Sequence, residues 1–279
     1  MTQLTIYKGA SPFLKNVQEW LEENEALNSL LLGLAQDNAK KENDSSFYLT
    51  LSTDHQLQFS GLQTPERNLI VYADHSNLEN TLSVLADYLG KEKLTFPGMT
   101  GPKDLVLRAG EIFKNKLGWD DELVHQHLVY QLEQVKHNPP ISGDLRLATA
   151  ADLDLVAEWM HLFLIEALQE DDKEAARENA AKKINNKEVY LWVHNAVVSM
   201  TSIARPTNNG ITINYVYTPL AQRKKGYGTK IVAELSGLML KRGYRFCTLF
   251  TDVENPTSNH IYQKIGYDII GEFRSIAFT

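Results

Sequence analysis

The chain has 279 residues, of which 43% are hydrophobic and 23% charged, and its formal net charge is −7. That length suits two domains of about 140 residues or one large one, and the apolar content excludes large-scale disorder. The acidic balance argues against a general nucleic-acid or anionic-membrane surface, and neither a transmembrane-length apolar run nor a basic-then-apolar leader is seen, so a cytoplasmic protein is expected.

The first half has helical periods over residues 12–21 and 25–40. Strand-like runs follow at 47–51, 57–60 and 69–72, then helices at 77–89 and 103–117 and an extended stretch at 123–135. Between the last two helices, Phe96-Pro97-Gly98-Met99-Thr100-Gly101-Pro102 reads as a turn-rich loop, either a substrate-covering lid or a plain connection. His137-Asn138-Pro139-Pro140-Ile141-Ser142-Gly143 is the best boundary, because two prolines and a glycine continue neither regular structure. It divides the chain into residues 1–136, a linker at 137–143 and residues 144–279.

The second half begins with a short strand at 144–147 and a helix from Ala151, and an acidic helix-prone stretch covers 170–183. Strands follow near 189–193, 197–205 and 211–217, then a basic glycine loop, a helix, a strand around Phe246, a helix from Asn255 and a closing strand from Tyr267. The order β-α-α-β-β-β-α-β-α-β makes this half a mixed α/β domain. The single cysteine, Cys247, lies in a strand-like run and reads as a buried, inert thiol.

The loop Arg223-Lys224-Lys225-Gly226-Tyr227-Gly228-Thr229 is the most informative segment. Strand, basic glycine loop and helix together can hold a diphosphate. Glycines let the backbone close on the anion, first-turn N–H groups point at it, and the helix dipole favours its charge. The spacing is neither that of an NTPase loop nor that of a dinucleotide fingerprint. About thirty residues on, Asn255, Asn259 and Tyr262 share one face of a helix that ends at Lys264-Ile265-Gly266-Tyr267.

With these two segments the chain resembles the GNAT acetyltransferase superfamily, over roughly residues 144–279. The family's acyl-CoA loop, R/Q-x-x-G-x-G/A, falls on Gln222 to Gly228, and its N-x-x-S/A-x-x-x-Y-x-K-x-G-F/Y helix on Asn255 to Tyr267. From residue 47 the first half repeats the same element order without a phosphate loop. Ala73-Asp74-His75-Ser76 stands in its place, so the first half looks like a degenerate copy, giving a tandem GNAT-like fold.

The resemblance implies an N-acetyltransferase with acetyl-CoA as co-substrate and a primary amine attacking directly in a ternary complex. Val216, Tyr217 and Thr218 would contact the pantetheine arm, and Arg223, Lys224, Lys225, Gly226, Tyr227, Gly228 and Thr229 the diphosphate. Asn255 and Asn259 would orient the arm or cap the helix, and Tyr262 would protonate the departing sulfur. Many family members place a glutamate base on the strand before the loop. Asn214 stands in that neighbourhood here, leaving Glu166, Asp252 and Glu254 as candidate bases, with water as an alternative. Glu166, Glu170, Asp171 and Asp172 form either an acceptor-attracting cluster or a solvated helix end. Histidine spacing predicts no metal site. A non-catalytic CoA-binding protein, or a transferase of another acyl group, is the alternative.

Overall fold

The computed structural model describes residues 2–279. Its contacts divide the chain into two compact units: the residues up to Val129 with Ile270–Thr279, and Tyr130–Ile269. The division therefore runs through two strands, β6 (Asp121–Leu132) and β12 (Asp268–Phe278).

The first unit contains β1 (Thr2–Tyr7), α1 (Ala10–Glu22), α2 (Ser29–Asn38), β2 (Phe47–Thr53), β3 (Gln56–Gln63) and β4 (Leu69–Ala73). It continues with α3 (Leu78–Glu92), β5 (Gly98–Pro102), α4 (Lys103–Leu117) and most of β6. The strand order is β1-β2-β3-β4-β5-β12; β4 and β5 run parallel and the other neighbours antiparallel. Alternation along the strands gives the sheet two apolar faces. Leu49, Leu51 and Val71 pack with Leu82, Leu85, Val106 and Phe113 of α3 and α4. Tyr48, Leu62 and Ile70 pack with Phe13, Val17, Leu31 and Leu32 of α1 and α2.

The 96–102 segment corrects the sequence reading, since all of it after Pro97 is strand. Residues Gly98–Pro102 are strand β5, pairing Met99 with Leu69 on one side and Ser275 with Thr100 on the other. A Cβ on Gly98 would lie 2.0 Å from the Ile276 carbonyl, and one on Gly101 would lie 2.7 Å from the Val71 carbonyl. The glycines that suggested a loop are there because neighbouring backbones approach too closely for any side chain.

The second unit contains β7 (Asp144–Leu147), α5 (Leu153–Leu168), α6 (Lys173–Asn185), β8 (Val189–His194), β9 (Ala196–Ala204) and β10 (Gly210–Tyr217). Then come α7 (Tyr227–Lys241), β11 (Phe246–Asp252), α8 (Pro256–Ile265) and the start of β12. Its strands lie in the order β11-β10-β9-β8-β7, with only β10 and β11 parallel. Val156, Trp159 and Met160 of α5 and Ala176, Ala180 and Ile184 of α6 bury against Leu191, Met200 and Tyr217. On α7, Ile231, Val232, Leu235 and Met239 are buried. Each such large side chain contributes about 1.5–3 kcal/mol. No helix among the described residues is long and apolar enough to cross a membrane.

Candidate active site

The site begins at a defect in β10. Parallel pairing of β10 with β11 is confined to Gly210–Thr212 against Phe246–Thr248, and a Thr212–Thr248 hydroxyl contact of 3.1 Å closes that end. On the other edge of β10, the register with β9 shifts between Asn214 and Tyr217. Tyr215, within that bulge, takes a φ of 49°. A left-handed, non-glycine residue costs about 1–2 kcal/mol, so the surrounding packing must hold it. The Tyr215 hydroxyl accepts from Asn179 Nδ2 at 2.9 Å, its ring lies 5.1 Å from that of Phe163, and Lys183 Nζ stands 5.9 Å from its centroid. After Thr212, β10 makes no further ladder pair with β11.

Val216, Tyr217 and Thr218 lie past that point. The Tyr217 carbonyl accepts from Ser199 Oγ at 3.0 Å, and the same hydroxyl meets Thr218 Oγ1 at 2.9 Å. Tyr217 is also a core residue, its ring 6.0 Å from that of Trp159.

The loop then turns through Lys224 at φ 63° and Gly226 at φ 81°, and α7 starts at Tyr227 with no side-chain cap. The amides of Tyr227, Gly228 and Thr229 are therefore the unsatisfied first-turn donors of α7. A Cβ on Gly228 would meet only Thr218 Oγ1, at 3.6 Å, leaving the space before this turn open to a bound group. The cations are not all directed there. Lys225 donates to the Ala221 carbonyl at 3.0 Å and to Gln222 Oε1 at 2.9 Å. Arg223 donates through Nε to the Thr218 carbonyl at 2.8 Å, and through Nη2 to both Glu166 oxygens at 2.9 and 2.7 Å. Glu166, at the end of α5, is thus ion-paired to the loop. Tyr227 turns its hydroxyl to His194 Nδ1 at 3.2 Å.

On α8, Asn255 caps the helix, accepting from Ser258 N at 3.0 Å with Pro256 in the first turn. Asn259 donates to the Asp252 and Val253 carbonyls at 3.1 and 3.2 Å and accepts from Tyr130 at 3.3 Å. Both amides thereby fix how α8 leaves β11. Tyr262 is 7% exposed, between the rings of Tyr130 and Tyr267, each 6.0 Å away. Burial pushes its phenol up to about 12, against the opposing hydrogen bond of Ser258. The Asn214 amide oxygen accepts from Ser202 Oγ and its carbonyl accepts from Thr201 Oγ1. In the acidic cluster, Asp171 meets His161 Nε2 at 2.7 Å and Asp172 caps α6 through Ala175 N. Burial pushes the Cys247 thiol up to about 12, so it is no nucleophile at neutral pH. No group of three or more metal-ligating side chains occurs among the described residues. An open cleft of about 340 Å³ in the first unit, lined by Pro102, Lys103, Asp104 and Glu272, contains no predicted site residue.

The bulge at Tyr215 and the Arg223–Glu166 pair escaped the sequence reading. Only the tyrosine-rich run Tyr215-Val216-Tyr217 hinted at the first, and no local signal marks a partner 57 residues away.

The end of the β10–β11 pairing and the uncapped start of α7 thus lie within one loop of each other. Residues 153–267 match the model of the Acetyltransferase (GNAT) family. Solved structures extend the likeness in fold to the whole chain. A GNAT-family acetyltransferase from Colwellia psychrerythraea is 11% identical, with a TM-score of 0.61, over 99% of this chain and 98% of its own. A GCN5-related N-acetyltransferase from Sphaerobacter thermophilus is 14% identical, with a TM-score of 0.60, over 99% and 95%. A tandem GNAT protein of the clavulanic acid biosynthesis pathway is 11% identical, with a TM-score of 0.58, over 100% and 98%. No curated protein sequence matches this chain.

Proposed function

We propose that the protein transfers an acetyl group from acetyl-CoA to a primary amine by direct attack in a ternary complex, at one site in the second unit. The observation that carries this is the end of the β10–β11 pairing at Thr212, followed by the Tyr215 bulge against β9 and the open turn of Gly226 and Gly228. The co-substrate supplies the acetyl thioester. The Tyr227, Gly228 and Thr229 amides hold its diphosphate with Lys224, and Val216, Tyr217 and Thr218 hold its arm. Positioning of this kind is worth about 7–11 kcal/mol of the barrier.

With its phenol pushed up to about 12, Tyr262 keeps its proton at Oη throughout the neutral range. It gives that proton to the departing sulfur as the amine nitrogen bonds to the carbonyl carbon and the carbon–sulfur bond breaks. Tyr262 regains a proton from solvent and the attacking nitrogen loses one to solvent water, so the step balances. Asn214 cannot take that proton, and Glu166 serves it only when Arg223 turns away, towards the diphosphate.

Thiol release from acetyl-CoA, assayed across a panel of small amines, amino acids and peptide amino termini, tests the reading. Release that depends on one amine class and falls steeply in Tyr262→Phe supports it. Binding of acetyl-CoA without release for any amine favours a non-catalytic CoA-binding protein, for which the tied side chains of Asn214 and Glu166 speak.

A further inference from the structure

The segment between the two sequence halves lies wholly within the second unit and runs along the two helices of the site. At one end, Lys136 N and His137 N donate to the Ile265 carbonyl at 2.8 and 3.2 Å, gripping the last turn of α8. There Gly266 has φ 119°, and a Cβ on it would meet Lys136 Cγ at 2.8 Å. Next, Asn138 Oδ1 accepts from Lys230 Nζ at 3.0 Å and Asn138 Nδ2 donates to Glu234 Oε1 at 2.8 Å, while Lys230 and Glu234 pair at 2.7 Å. Ile141 follows, its Cδ1 2.7 Å from where a Cβ on Gly226 would lie. At the far end, Gly143, at φ 128°, lies against Trp192, whose indole is 5.4 Å from Lys230 Nζ.

Residues 226, 230 and 234 form one stripe of α7, and the first helical hydrogen bond of α7 runs from Lys230 N to the Gly226 carbonyl at 3.0 Å. The segment therefore grips both residues of the bond that closes the phosphate-facing turn. Lys230 is 8% exposed, and a buried ammonium is stable only with its partners in place.

We infer that residues 136–143 are a strap, with Asn138 and Ile141 as positioning residues that hold the first turn of α7 in its anion-receiving geometry and in register with the helix carrying Tyr262. The ligand assignment rests on the acyl-CoA reading above; the mechanical claim does not. Without the strap the turn opens more often, and ordering it on ligand binding becomes part of the binding cost.

The test uses the full chain with Asn138→Ala, Ile141→Ala and Ile141→Val, read by acetyl-CoA titration, by melting temperature and by hydrogen exchange of the 226–234 peptide. The two alanine variants are expected to speed exchange across 226–234 by about tenfold, leaving 235–241 unchanged. Each weakens acetyl-CoA binding by about tenfold well below its melting temperature, and Ile141→Val restores most of it. Unchanged exchange at 226–234 in both alanine variants overturns the strap, as does acetyl-CoA affinity equal to that of a wild type that binds. A wild type that fails to bind overturns the acyl-CoA reading instead, and the exchange measurement then decides the strap alone.

Discussion

After β4 the chain turns through Asp74, whose carboxylate accepts from Ser76 N at 3.1 Å and caps the short 3-10 turn before α3. After β10 it turns through Lys224 and Gly226, both left-handed, into an α7 with no side-chain cap. The two places are equivalent in the element order of their units, and they differ in charge: the first carries the Asp74 carboxylate, the second Arg223, Lys224 and Lys225. The strands leading in differ likewise. β4 pairs with β3 in unbroken register from Ile70 to Ala73, whereas β10 breaks register at Asn214–Tyr217 and holds Tyr215 at φ 49°. On the function proposed above, one architecture serves as a scaffold or as a ligand site according to a bulge and the charge of one turn.

Tyr262→Phe cuts deepest into the working side of this comparison. Turnover should fall about 10²–10⁴-fold with little change in acetyl-CoA affinity, the range for a positioned proton donor. Because the phenol is pushed up to about 12, its ionisation adds no alkaline limb to the wild-type rate below about pH 11. The sign for stability is fixed as well. The folded phenol's value lies above the ordinary 10, so its contribution is complete below pH 10 and is lost as pH rises towards 12. A pH-rate profile with an alkaline limb that disappears in Tyr262→Phe at pH 9 contradicts this placement.

Gly98→Ala probes the scaffold. With the Ile276 carbonyl 2.0 Å from the new Cβ, the first unit should lose about 1–3 kcal/mol on denaturant unfolding. A melting temperature equal to wild type would mean that β5 does not approach its neighbour so closely. Asp74→Ala removes the scaffold's internal anion and should cost about 0.5–2 kcal/mol. Acetyl-CoA stoichiometry should stay at one, and a second equivalent would show that the carboxylate alone had blocked a latent site. Glu166→Gln should have the smallest effect on stability, at most about 1 kcal/mol, since its pair with Arg223 is about 40% exposed on both sides.

Most elements of the second unit were legible from residue pattern, through the apolar period of α5 and α7 and the turn Pro206–Gly210, with α6 marked by its helix-prone composition. Three things stayed hidden for physical reasons. β5 was invisible because close backbone approach puts glycine where strand sequences ordinarily carry branched side chains. The bulge carries no glycine to mark it, because tertiary packing holds the left-handed position at Tyr215. The strap reads as a linker because its prolines forbid regular structure, while its contacts, from Asn138 to Lys230 and Glu234, lie over ninety residues away. Asn255, Asn259 and Tyr262 were legible as one helix face; that both asparagines make internal bonds was not.

The central claim is that only the second unit keeps a working acyl-CoA turn, and calorimetric titration of the full chain and of Gly228→Trp with acetyl-CoA tests it most directly. A Cβ at 228 meets nothing closer than 3.6 Å, so the variant should fold while its indole fills the mouth of the turn. The account predicts one equivalent bound by the wild type and an affinity at least about a hundredfold weaker in the folded variant, from loss of the helix-terminus anion site. Undiminished binding in the variant, two equivalents in the wild type, or none to a folded wild type would contradict it.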